Sequence, residues 1–182
     1  MTVSGSVDKI RRLMPSDQLR SINPLRLARA KERIEGNVQL ASLPRINPLL
    51  LDNRGKLKYC LNFDYDEAGV CIIESQIETR LILECQRCFK AVDIEISNRS
   101  LLGVVHNKDE SDALPSEYEP LQLEDDTATI EELIEDELLL SIPLSALHSE
   151  INCAGTAELN PVNAEAKRQP FADLAELIKN KD

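Results

Sequence analysis

Residues 56–66 alternate without a break: Leu57, Tyr59, Leu61, Phe63 and Tyr65 fall on one side of an extended chain, and Lys58, Cys60, Asn62, Asp64 and Asp66 fall on the other. A period of two is that of a strand with one buried face. Glu67, Ala68 and Gly69 then supply turn chemistry, and a second alternation sets Ile73, Ile77, Leu81 and Leu83 against Glu74, Gln76, Glu78, Arg80 and Glu84. The two runs predict an antiparallel hairpin. Val92, Ile94 and Ile96 alternate with Asp93, Glu95 and Ser97, predicting a third strand that continues through 101–105. An edge strand is expected over 38–46, closed by Pro44 and Pro48. The middle of the chain therefore reads as a mainly antiparallel sheet with one wet face.

Helical spacing flanks this sheet. Asn23 is placed to cap a helix with Pro24 at its first position, and Gly36 to close it with a left-handed cap. Arg26, Arg29 and Arg33 then share a face, which reads either as solvated surface or as a contact for RNA or an acidic partner. Residues 107–126, polar, acidic and broken by Pro115 and Pro120, predict a long loop. Thr129 and Glu132 form a capping box ahead of Ile130, Leu133, Ile134 and Leu138, and Pro143 stops that helix. Glu131, Glu132, Glu135, Asp136 and Glu137 are expected on its exposed side. Phe171, Leu174, Ala175 and Ile178 predict a short C-terminal amphipathic helix after a linker. The expected fold class is α+β: an antiparallel sheet, an N-terminal basic helix, an acidic helix after the sheet and a short C-terminal helix.

Composition narrows the function. The chain has 182 residues, enough for one domain, with 42% hydrophobic but only 3% aromatic residues, so the core must be built from Leu, Ile and Val. No apolar run is long enough to cross a membrane and the first 22 residues lack a secretory signal, which predicts a cytoplasmic protein. The net charge of −11 argues against a protein that coats nucleic acid over its whole surface. The charge is also divided: residues 1–36 carry +4 and the remainder −15, with no Lys or Arg between 109 and 166 against sixteen acids. The basic end suits RNA, and the acidic loop and helix suit a basic protein.

The stretch LECQRCFK, residues 83–90, sets Cys85 and Cys88 three positions apart between two predicted strands. A redox pair draws its low pKa from the helix that follows it, and no helix is expected here. Two sulfurs in a hairpin tip are also half of a zinc site, which needs two more ligands. HSEINC offers His148 and Cys153, so Cys85, Cys88, His148 and Cys153 are candidate zinc ligands; the same two residues also read as a helix-end histidine and a small loop cysteine. No catalytic residues are expected. The two histidines, His106 and His148, lie in no nucleophile motif, phosphate loops and dinucleotide fingerprints are missing, and Asp125-Asp126 reads as solvated surface.

Several segments together carry a resemblance: NPLRLA at 23–28, LECQRC at 83–88, ALPSEYEPL at 113–121, IEDELLLSIPLSALH at 134–148, Cys153, and PFADLAELIK at 170–179. In this order and spacing the chain resembles the bacterial YceD family, the large ribosomal RNA subunit accumulation proteins. It departs from the pattern around Cys153, where some relatives carry more cysteine, so the fourth ligand is taken from His148. The resemblance implies a single YceD-like domain over 1–182, with a basic N-terminal arm and helix (1–36), antiparallel sheet (37–106), acidic loop (107–126), acidic helix with His/Cys segment (127–153) and tail helix (154–182). It also implies a non-enzymatic factor in synthesis, processing or stability of large-subunit ribosomal RNA. That RNA or its assembly intermediates are the expected partner, met directly or through a basic ribosomal protein. Two alternatives stand beside it: a thiol-disulfide oxidoreductase using Cys85 and Cys88, and an acidic protein-only adaptor for a basic partner.

Overall fold

A computed structural model describes residues 10–12, 21–123, 125–149 and 153, with backbone alone at 10–12. The predicted C-terminal helix at 171–178 and most of the arm before residue 21 lie outside the described residues. In chain order the elements are β1 (Ile10–Arg12), β2 (Ser21–Ile22), α1 (Pro24–Arg29), β3 (Arg33–Gln39), β4 (Lys56–Tyr65), β5 (Cys71–Glu84), β6 (Ala91–Val105), α2 (Lys108–Ala113), β7 (Glu119–Gln122), β8 (Ala128–Thr129) and α3 (Ile130–Ser141). Six strands form one sheet in the order β1-β3-β4-β5-β6-β7, and β2 pairs with β8 in a small separate ribbon. The centre, β3 to β6, is antiparallel, while β1 and β7 add parallel edges. The fold is α+β with a mainly antiparallel, mixed sheet.

The alternating segments become the three long central strands, because their period of two sends one row of side chains inward. Leu57, Tyr59, Leu61 and Phe63 of β4 meet Ile73, Ile77, Leu81 and Leu83 of β5 and Val92, Ile96, Leu102 and Val104 of β6, all buried. Asp66 closes the first hairpin by accepting from the Val70 N–H at 2.8 Å, with Gly69 at φ 85°. β6 continues through Val105 as one strand. Helix α3 covers the inner face of β5 and β6, and α1 lies against β4 and β5. The capping box forms: the Thr129 hydroxyl accepts from the Glu132 N–H, and the Glu132 carboxylate accepts from the Thr129 N–H. Ile130, Leu133, Ile134 and Leu138 enter the core. Among the described residues, no helix is long and apolar enough to cross a membrane.

Four expectations change. The N-terminal helix does not run to Gly36: Asn23 and Pro24 start it as expected, but it ends at Arg29, Lys31 reverses the chain at φ 48°, and β3 follows. Gly36 sits opposite Tyr59 in the β3–β4 ladder, where a Cβ would lie 2.6 Å from the Tyr59 hydroxyl oxygen. Glycine is required there by a close approach, not by a helix cap. The edge strand expected over 38–46 gives way at Gln39 to two short 3-10 turns, whose Leu40, Leu43 and Ile46 are buried. The stretch read as a loop over 107–126 contains α2, capped by Asn107, and β7.

The fourth change concerns α3. Glu135 and Glu137 were expected outside and are both 4% exposed. One Glu135 carboxylate oxygen accepts from the backbone N–H groups of Arg45 at 2.7 Å and Ile46 at 3.2 Å, and the Ser100 hydroxyl donates to Glu137. A buried carboxylate is tolerated where backbone or hydroxyl donors replace its water.

Candidate metal centre

The site grows out of the turn between β5 and β6. Cys85 follows the last residue of β5, and six residues later the chain re-enters the sheet. The Cys85 N–H donates to the Lys90 carbonyl at 2.9 Å and the Phe89 N–H to the Cys85 carbonyl at 2.8 Å, which folds 85–90 into a tight knuckle. Closing it puts Phe89 at φ 58°, the left-handed region that favours glycine. The segment after α3 runs beside this knuckle: the Gln86 N–H donates to the Ala146 carbonyl at 2.9 Å.

This crossing brings Cys85, Cys88, His148 and Cys153 together, with one donor atom from each inside a sphere of mutual distances up to 4.8 Å. Cys85 is completely buried, Cys153 is buried, and Cys88 and His148 are half-buried. His148 Nδ1 lies 3.5 Å from Cys88 Sγ, and Nε2 lies 3.1 Å from the Ala91 carbonyl oxygen. A carbonyl only accepts, so Nε2 carries the hydrogen and the Nδ1 lone pair is aimed into the cluster. Metal-binding histidines are oriented by this kind of outer hydrogen bond. Zinc with sulfur at about 2.3 Å and nitrogen at about 2.0–2.1 Å gives tetrahedron edges of roughly 3.5–3.8 Å, which the Cys88–His148 separation meets.

The sulfurs are electrostatically distinct. Burial pushes the Cys85 thiol up, but the backbone N–H groups of Arg87, Cys88 and His148, with Cys88 itself, outweigh it and lower the pKa to about 6. At Cys88 the Lys90 N–H lowers the pKa, but burial and the neighbouring Cys85 and Cys153 sulfurs prevail and raise it. N–H groups aimed at sulfur stabilise thiolate, the form that binds metal. The other thiols are different. Cys71 is pushed up to about 11 by burial alone and Cys60 is raised chiefly by burial, and neither joins the cluster.

A profile for the large ribosomal RNA subunit accumulation protein YceD matches residues 73–178, more than half of the chain. The chain belongs to the YceD family. The large ribosomal RNA subunit accumulation protein YceD of Haemophilus influenzae is 26% identical over 163 residues, covering 86% of this chain and 94% of the relative. No solved structure matches the chain.

The predicted basic face of this YceD-family chain is divided by the fold. Arg26 and Arg29 are exposed on α1, but Arg33 opens β3, half-buried, with its guanidinium 3.7 Å from Glu35. Sequence reasoning also passed over Phe89, 71% exposed at the knuckle tip. Its signal was an aromatic residue directly after the second cysteine, in a chain with three phenylalanines.

Proposed function

We propose that this chain is a non-catalytic, cytoplasmic factor in the accumulation of large-subunit ribosomal RNA. Membership of the YceD family is the observation that carries this reading, since the family is described by that role. Within it, Cys85, Cys88, His148 and Cys153 hold one structural zinc ion that ties the exit of α3 to the β5–β6 knuckle. Four protein donors would close a tetrahedral site and leave no open position for substrate or water, the arrangement of a structural rather than a catalytic ion. The position of the cysteine pair supports this over an oxidoreductase: the knuckle leads into β6, not into a helix whose N-terminus would activate a nucleophilic sulfur.

Large-subunit ribosomal RNA or its assembly intermediates are the proposed partner. Arg26 and Arg29 belong to this reading as exposed cations; Arg33 contributes less because Glu35 and partial burial hold it. The exposed acids Asp109, Glu110 and Asp112 of α2 and Glu132 and Asp136 of α3 suit a basic ribosomal protein. Deleting the gene tests the reading. The ratio of large- to small-subunit ribosomal RNA, read by quantitative hybridisation in growing cells, should fall and return on complementation. An unchanged ratio would refute it.

A further inference from the structure

We infer that the knuckle tip is a binding site for an unpaired RNA base, with Phe89 as stacking platform and Lys90 as phosphate contact. The inference rests on the ribosomal RNA reading and names the surface through which the RNA is touched.

Three observations converge on this tip. The first is the exposure of Phe89. Phe63 is 2% exposed in the core, whereas Phe89 keeps 71% of its surface in water. The second is its backbone. At φ 58° glycine is the favoured residue, so a bulky aromatic at this position is not explained by folding. The third is the local charge. Residues 85–92, bounded by Glu84 and Asp93 in the flanking strands, and 138–149 contain no Asp or Glu, so the turn itself carries no acid. Lys90, which directly follows Phe89, is exposed. An exposed aromatic followed by an exposed cation is chemistry that suits single-stranded RNA, because every base offers a π-face and every nucleotide a phosphate. Base-paired RNA hides its faces in the stack, so the site selects loops, bulges and ends.

The backbone geometry supplies an unusual test. Phe89→Gly relieves the left-handed backbone and removes little buried surface, so it should leave the melting temperature unchanged or raise it. Fluorescence anisotropy of the full-length, zinc-loaded protein with a short labelled single-stranded RNA of mixed sequence, and with the same sequence as a duplex, gives the second readout. The unsubstituted protein should prefer the single strand. Phe89→Gly should weaken that binding about 5- to 140-fold, the range expected for one stacked base. Phe89→Trp should retain it. The salt dependence should be shallow, with log K falling about 0.7 per tenfold salt for one phosphate contact, and the slope should be lost after Lys90→Gln.

Binding by Phe89→Gly equal to that of the unsubstituted protein overturns the site, as does equal affinity for the duplex. Absence of RNA binding by the unsubstituted protein, or loss of a protein partner alone on substitution, overturns it equally. Cellular RNA separates this failure from failure of the parent reading. If deletion lowers large-subunit RNA and Phe89→Gly restores it fully, only the site is wrong; if deletion lowers nothing, the role itself is wrong.

Discussion

Replacing Glu135 by alanine tests how the sheet, the 3-10 segment and α3 are joined. Its carboxylate is the acceptor for the Arg45 and Ile46 N–H groups, at 2.7 and 3.2 Å, in a turn that belongs to no ladder or long helix. Ile46 is completely buried, so its N–H has no water to turn to when the carboxylate is removed, a loss of about 1–3 kcal/mol. Arg45 is exposed, and water recovers most of its bond, leaving up to about 1 kcal/mol. Together Glu135→Ala should cost about 1–4 kcal/mol, a large part of the roughly 5–15 kcal/mol that holds a domain folded. Glu135→Gln keeps an acceptor oxygen in place but gives up the charge, which about halves such a bond, so about 1 kcal/mol should be lost. Urea unfolding of both variants reads this directly. With a slope of about 2 kcal/mol per molar, alanine should lower the midpoint by roughly 0.5–2 M and glutamine by no more than about 0.5 M. Equal midpoints for the two variants would show that shape or packing, not the acceptor oxygen, is what Glu135 supplies.

Other consequences are equally direct. Zinc content measured by mass spectrometry should be one ion per chain and should be lost in Cys85→Ser and Cys153→Ser but kept in Cys60→Ser; a strong chelator should lower the melting temperature of the unsubstituted protein and of Cys60→Ser, but not of Cys85→Ser or Cys153→Ser. Gly36→Ala should lower stability by about 1–3 kcal/mol, because its Cβ lies 2.8 Å from the Tyr59 ring carbon Cζ, and thermal melts should show partial recovery when Tyr59→Leu is added. Glu137→Gln should raise stability at neutral pH. Burial, opposed by Ser100 and helped by Glu119 and Asp136, raises the Glu137 pKa above its ordinary 4.5, so the ionised form weakens the fold and its protonation relieves it. The advantage of the glutamine variant in urea titrations should therefore vanish as pH falls through the folded pKa, and an advantage that grows toward acid would contradict the sign.

The three central strands could be read because an inward row of Leu, Ile, Val and Phe at period two is a local signal, and nothing else in the chain competes with it. β3 was missed for a local reason too. Ile34 and Val38 stand four apart, which fits a helix and a strand equally, and Gly36 between them looked like a helix cap. The feature that decides the matter, the reversal at Lys31, leaves no mark in the choice of lysine. Glu135 and Glu137 were placed outside because their partners are Arg45, Ile46 and Ser100, far away in sequence. That Cys85, Cys88, His148 and Cys153 come together was legible as one of two readings, because sulfur and imidazole at short spacings are uncommon and can be paired without knowing the path between them. β1, β2, β7 and β8, two to four residues each, are too short to show any period.

Both ends of α3 are tied to distant chain. At its start the capping box satisfies the first N–H groups, and β8, which immediately precedes it, pairs with β2. At its end the segment 146–148 bonds to the knuckle through Gln86 and Ala91 and enters the proposed zinc site through His148. A metal joining residues 60 positions apart in sequence, Cys88 and His148, acts on the unfolded chain as a cross-link would, removing conformations the free loop could otherwise explore. Its effect on the tip is more specific. Phe89 is held in a left-handed backbone by the hydrogen bond from its own N–H to the carbonyl of Cys85, one of the four proposed ligands. A stacking platform loses affinity for every orientation it must give up on binding, so a side chain mounted on a rigid ligand loop binds better than the same side chain on a mobile one. On these two proposals metal and aromatic would act in series, the first by holding the knuckle and the second by using it, and zinc removal should impair RNA binding even where the sheet stays folded.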